Sequence, residues 1–346
     1  MKKVILRCFV LVLLASCKES GKPSAVQETD LLLALPAHFT SPPPVDFNPD
    51  NKKAVALGKM LFFDPKLSAN GQVACASCHF PQKAFTDGIA LSNVGVSGET
   101  LHRNSMPLFN LAWNTSGLFW DGGASNLESL VVGPLTHPDE MGMSLPKLPA
   151  ILRQNPEYVR LFAEAYPEED GEINSQKVLK ALAQYMRTLV SADAKYDRYI
   201  ENPQKTPLNA LEREGLRVFD LKCNACHSRK LHLFTDNDFH NNGLDDSYSD
   251  AHELAPKGRF RVTFKEEDIG KFRTPSLRNL SFTAPYMHDG RFATLEEVLQ
   301  HYASGIKHSP TLAPRLKNFT LSADEQKALL AFLKTLDDIS FIQSSK

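Results

Sequence analysis

Cys75-Ala76-Ser77-Cys78-His79 and Cys223-Asn224-Ala225-Cys226-His227 share one pattern, C-x-x-C-H, the attachment signature of a c-type haem. The spacing has a chemical reason. Two thiols about one helical turn apart can each form a thioether with one haem vinyl group. The adjacent His is then held under the iron as its axial ligand. The competing reading is a zinc site built from two C-x-x-C pairs. The pairs lie far apart in sequence and a His follows each directly, which favours haem.

Outside these motifs the chain has only Cys8 and Cys17. Lys2, Lys3 and Arg7 form a basic start, Phe9 to Leu14 an apolar run, and Leu14-Ala15-Ser16-Cys17 a lipobox. The expectation is a lipoprotein signal over residues 1–16, cleaved before Cys17, which then carries lipid. An ordinary signal peptide or an uncleaved anchor is the alternative, but the run is short for a membrane span. Cys8 then leaves with the signal and four Cys hold haem. No thiol remains for a disulfide, a common device in an oxidising compartment. Residues 17–45 are rich in Pro and Ser and read as a tether, stiffened locally by Pro42-Pro43-Pro44.

The 346-residue chain is long enough for two domains. A formal net charge of -1 and 42% hydrophobic content suit a globular protein and give no sign of a nucleic-acid partner. The periodicity predicts a helix over 52–62, with Ala56, Met60 and Leu61 on its apolar stripe, stopped by Asp64-Pro65. A long helical pattern runs over 174–199. A helix over 208–221, with Leu211, Leu216 and Phe219 inward, leads into the second motif. Thr294–Glu297 and Ser322–Glu325 are capping boxes. The first opens a helix that carries Tyr302 and stops at Gly305. The second opens a final helix, which should pack across the one before the second motif.

Five segments occur in order around the first motif: Gly58-Lys59-Met60-Leu61-Phe62-Phe63-Asp64, the motif itself, Arg103-Asn104-Ser105-Met106-Pro107, Phe119-Trp120-Asp121-Gly122-Gly123 and Pro138-Asp139-Glu140-Met141-Gly142. Phe272 to Asn279 and Thr283 to Gly290 form a further block. Together they resemble the bacterial di-haem cytochrome c peroxidase family, including its MauG-type branch. The resemblance covers about residues 46–340. It implies an all-α fold of two cytochrome c-like domains, each with one covalently bound c-type haem. The first, 46–205, would be peroxidatic; the second, 206–346, would transfer electrons.

The resemblance also implies roles. Glu140 matches the acid/base that moves protons during peroxide cleavage. Trp120 matches an aromatic relay between the haems, though a packed core ring is also consistent. Trp113 has no matching role and reads as core. The family's distal His on the first haem falls at Val96, so that haem is expected to be open; His102 is the nearest alternative. The second haem's sixth ligand falls at Tyr302, with Met287 and His301 as rivals. A phenolate ligand would stabilise its oxidised states. A calcium ion in relatives would here be held by the Asn104 side chain and the carbonyls of Thr283 and Pro285.

Three functions follow. The favoured one is a periplasmic, lipid-anchored peroxidase that reduces hydrogen peroxide with electrons from a small cytochrome c or cupredoxin. The second is a MauG-type oxidase acting on a protein partner. MauG passes charge through a surface Trp two residues before its second motif, whereas this chain has Leu221 there. The third is a di-haem electron carrier without catalysis. Dimers are common among relatives, but the residues give no independent sign of one.

Overall fold

The structure, a computed structural model, describes residues 35–169, 171–248 and 257–344. It is helical with very little sheet. The helices are α1 (Lys52–Phe63), α2 (Leu127–Thr136), α3 (Leu148–Leu152), α4 (Pro156–Ala165), α5 (Ser175–Arg187), α6 (Lys195–Glu201), α7 (Ala210–Lys222), α8 (Phe260–Thr263), α9 (Leu295–Gln300), α10 (Ala323–Leu333) and α11 (Ile339–Ser344). Two short strands, β1 (Phe239–His240) and β2 (Phe272–Arg273), pair antiparallel, Phe239 opposite Arg273. No helix of the described residues is long and apolar enough to cross a membrane. Cys8 and Cys17 lie outside the described residues.

Local sequence sets the helix ends. The Asn51 side chain accepts from Lys53 N and Ala54 N, starting α1. At the other end the Asp64 carboxylate accepts from Tyr158 Oη at 2.6 Å, fastening α4 beside it. Both expected capping boxes form, Thr294–Glu297 on α9 and Ser322–Glu325 on α10.

Two helix pairs dominate the packing, α1 on α5 and α7 on α10. Each crosses at a glycine. A Cβ on Gly58 would lie 1.9 Å from Ala181 O, and one on Gly215 2.0 Å from Ala328 O. The backbones touch there, and a side chain would force them apart. This geometry corrects two apolar faces. α1 buries Ala54, Leu57, Gly58, Leu61 and Phe62, while Ala56 is exposed. α7 buries Glu212, Gly215, Val218 and Phe219, and Leu211 is 40% exposed. In both cases the glycine, which apolar periodicity overlooks, sets the inward direction.

The buried apolar residues form one cluster drawn largely from 54–189, joined by Phe272, Phe341 and Ile342. A second spans Tyr196 to Leu336. Phe39, Trp113, Ala192 and Leu233 form a third. The expected tether is therefore fastened at one point in its described part: Phe39 is buried, and Trp113 Nε1 donates to Thr40 O at 2.8 Å.

The single helix expected over 174–199 is two, α5 and α6, with a break between them. Polar groups hold that break. Asp338 Oδ2 accepts from Ala192 N at 2.8 Å, Asp193 N at 2.9 Å and Ser191 Oγ at 3.2 Å. Asn110 brackets Ser191, taking its N–H and donating to its carbonyl. Beyond the break, Arg278 makes a two-pronged ion pair with Asp197 at 2.6 and 2.8 Å, both side chains fully buried.

Candidate functional site

The first C-x-x-C-H motif folds as a tight turn. Cys78 N and His79 N both donate to Cys75 O, at 3.2 and 3.1 Å. Such a turn brings the thiols to one side. The His79 ring donates through Nδ1 to Phe85 O at 2.7 Å, which leaves Nε2 free to ligate. Burial pushes the Cys75 thiol up to about 12 and the Cys78 thiol to about 11, and lowers the His79 pKa, keeping the ring neutral.

The second motif repeats the design at the end of α7. Cys226 N and His227 N donate to Cys223 O at 3.2 and 2.9 Å. His227 Nδ1 lies 3.1 Å from Pro275 O and 3.3 Å from Phe234 O. All four cysteines of the motifs are free thiols. Among the described residues they do not converge on one another as a zinc site requires. Two neutral, carbonyl-steered imidazoles, each beside two unoxidised thiols, fit covalent haem.

Glu140 lies beside the first motif, close enough that its charge raises both the Cys75 and Cys78 thiols. Its own pKa is raised, chiefly by burial, while His137 opposes the rise. The loop over it is pinned: Val96 N donates to Glu140 O at 2.7 Å, and Gly95 packs directly on Asp139 O. The Val96 and Glu140 backbones are thus tied together. His102 and His137 are exposed, and Asp139 N donates to His137 Nδ1 at 3.2 Å.

Trp120 is 8% exposed and joins distant parts of the chain. Its Nε1 donates to Asn104 O at 2.9 Å, and its carbonyl accepts from Arg273 N at 2.8 Å. Asn104 is itself buried, with Nδ2 on Ile89 O at 2.8 Å. Thr283 is buried and the Ala284–Pro285 peptide is cis.

On the second motif's side, α9 ends at Gln300 and residues His301–Gly305 form a π-helical turn carrying Tyr302. The expected helix therefore widens at the candidate ligand, a distortion common at functional sites. Burial drives the Tyr302 pKa up to about 12, with the Cys223 and Cys226 thiols adding to the rise. Asn242 Nδ2 reaches both rivals, Tyr302 Oη at 3.4 Å and Met287 Sδ at 3.5 Å. His301 is occupied elsewhere, its Nε2 lying 3.0 Å from Asn242 O. Asn242, which no sequence motif singles out, thus sits between the two ligand candidates. The carbonyls of Phe85 and Pro275 leave no side-chain signal at all.

His240 Nε2 lies 2.7 Å from Asp236 Oδ2, and this bond raises its pKa to about 10. Leu221 is 71% exposed.

Residues 52–205 match the sequence profile of the family described as di-haem cytochrome c peroxidase. The chain is 39% identical over 326 residues to the methylamine utilization protein MauG of Methylorubrum extorquens, covering 93% of this chain and 89% of that protein. It is 32% identical to cytochrome c551 peroxidase of Nitrosomonas europaea, covering 83% and 81%. A solved MauG-like protein associated with microbial copper homeostasis superposes with a TM-score of 0.82 at 33% identity, covering 89% of this chain and 96% of that one.

Proposed function

Because this chain belongs to the di-haem cytochrome c peroxidase family, we propose that it reduces hydrogen peroxide to water at a first haem open to peroxide in the fully oxidised protein. What supports this reading is the Val96 N–H bond to the Glu140 carbonyl, which ties an aliphatic residue, at the position the family resemblance gives to a blocking ligand, to the residue that carries a partly buried carboxyl group. When bound, the haem groups supply the redox centres that cleave the O–O bond and hold its electrons.

The chain's own residues do the rest. Cys75 and Cys78 tether the first group, and His79 ligates it through Nε2. Cys223, Cys226 and His227 would do the same for the second, and Tyr302 would be a further ligand. Met287 is the alternative. Glu140 takes the proton from one peroxide oxygen and returns it to the other as that oxygen leaves as water. Each peroxide consumes two electrons and two protons and yields two waters. Trp120 relays electrons toward the first haem. Calcium, on Asn104 and the carbonyls of Thr283 and Pro285, would tie the two halves together.

This reading places the protein in the periplasm, anchored through Cys17, with a small cytochrome c or cupredoxin as electron donor. It divides the chain at about residue 205 into a peroxidatic and an electron-transfer domain. The test is steady-state peroxide consumption by the holoprotein with each reduced donor in turn. Consumption of two donor electrons per peroxide is expected; no turnover with any donor and no reaction with peroxide contradicts the reading.

A MauG-type oxidation of a protein partner is the second reading. Tyr302, on the π-helical turn at the candidate ligand position, favours it, because a phenolate bound to iron would stabilise highly oxidised states. Leu221 counts against it: the exposed position before the second motif carries no redox-active ring.

A further inference from the structure

Arg273 is a buried cation with no anionic partner among the described residues. It is 7% exposed. Its Nε donates to Phe119 O at 3.1 Å and its backbone N–H to Trp120 O. Its guanidinium forms no ion pair with any described residue, and burial alone lowers its pKa, to about 10. Leaving a guanidinium out of water without a counter-charge costs several kcal/mol, so a protein keeps one where something answers it.

The surroundings sharpen the deficit. Asp121 is the nearby acid, and it already answers Arg103 at 2.7 Å and Arg261 at 3.6 Å. Arg259 lies over the Phe239 ring at 4.3 Å and donates to the carbonyls of Asp121 and Gly122. His288 stacks on Phe272 with ring centroids 3.6 Å apart, and burial pushes its pKa down to about 4, so it adds no charge near neutrality. The region therefore carries more positive than negative charge.

Position shows which anion would answer Arg273. It sits two residues before Pro275, whose carbonyl steers His227. Its cross-strand partner is Phe239, next to His240, whose ring hydrogen-bonds to Asp236 and Cys226. Each of these contacts leads to the second C-x-x-C-H motif. We propose that Arg273 anchors a propionate carboxylate of the second haem, through its terminal guanidinium nitrogens. A planar guanidinium matches a carboxylate edge to edge. The covalent haem brings that carboxylate in permanently, as a burial this deep requires. This rests on the reading that the second motif holds haem.

The test is the midpoint potential of the second haem in mature holoprotein, measured against pH. Replacing Arg273 with Gln removes a positive charge beside the haem, which stabilises the ferric state. The potential should fall, and it should become pH-dependent as the released propionate titrates. Arg273→Lys should keep the potential close to wild type. A role in packing alone would lower stability without changing the pH slope. A mature Gln variant with the wild-type potential and slope overturns the proposal.

Should the Gln variant fail to mature, infrared spectra of wild-type protein with carbon-13-labelled haem carboxylates decide. One propionate should stay ionised when the others protonate, at about pH 4–5. All of them titrating together overturns the proposal. A haem count below two per chain would instead reject the reading on which it rests.

Discussion

The Val96 N–H donates to the Glu140 carbonyl at 2.7 Å, tying the loop after the first motif to the segment that carries the candidate proton carrier. Gly95 makes this approach possible, since a Cβ there would lie 1.8 Å from Asp139 O. One contact therefore fixes where the Val96 loop lies relative to the segment that carries Glu140.

Glu140→Gln should lower peroxide turnover by about 100- to 10,000-fold with both haems retained, because the amide cannot carry the proton. Steady-state rates and a haem count check this. The wild-type rate also has a predicted acid limb. Glu140 acts as a base when ionised, and burial raises its pKa. Activity should therefore fall as pH drops through a value above the ordinary carboxylate range. The Gln variant should lack that limb, and unchanged turnover would remove Glu140 from the mechanism.

Val96→His should place an imidazole beside Glu140 and slow the reaction of the oxidised protein with peroxide. His102→Ala should leave that reaction unchanged, because His102 is exposed. Stopped-flow absorbance on both variants separates the two positions; a slowed His102 variant would point to it as the blocking residue.

Tyr302→Phe should raise the second haem's potential. It removes the phenol while leaving Met287 Sδ, which lies 3.5 Å from the same Asn242 nitrogen. A thioether ligand favours the reduced iron more than a phenolate does. Potentiometric titration of variant and wild type decides, and an unchanged potential would exclude Tyr302 as ligand.

Gly58→Ala and Gly215→Ala should each destabilise the fold by about 1–3 kcal/mol, since the added methyl group meets a backbone carbonyl at a helix crossing. Arg278→Met should cost about 3–5 kcal/mol by leaving Asp197 buried without its guanidinium partner. Chemical denaturation of the holoproteins measures all three. Wild-type stability in either glycine variant would mean that the helices separate freely there.

The motifs and helix starts were legible in the sequence because their signals are local. C-x-x-C-H fixes a turn within five residues, and Thr294 and Ser322 find their partners three residues on. The break after α5 was not legible, because Asp338 holds it from nearly 150 residues away. Nor were the inward faces of α1 and α7, set by Gly58 and Gly215 against partner backbones. The groups steering His79 and His227 are carbonyls, which any residue supplies. The π turn under Tyr302 likewise has no residue signature, although Gly305 marks its end.

The most direct test of the central claim is a stopped-flow spectrum of the fully ferric holoprotein mixed with one equivalent of hydrogen peroxide. An open site beside Val96 and Glu140 predicts rapid conversion to a species oxidised beyond the ferric level, with no prior reduction. A spectrum that stays ferric until one haem has been reduced would contradict it and show that a side chain closes the first haem in the resting protein.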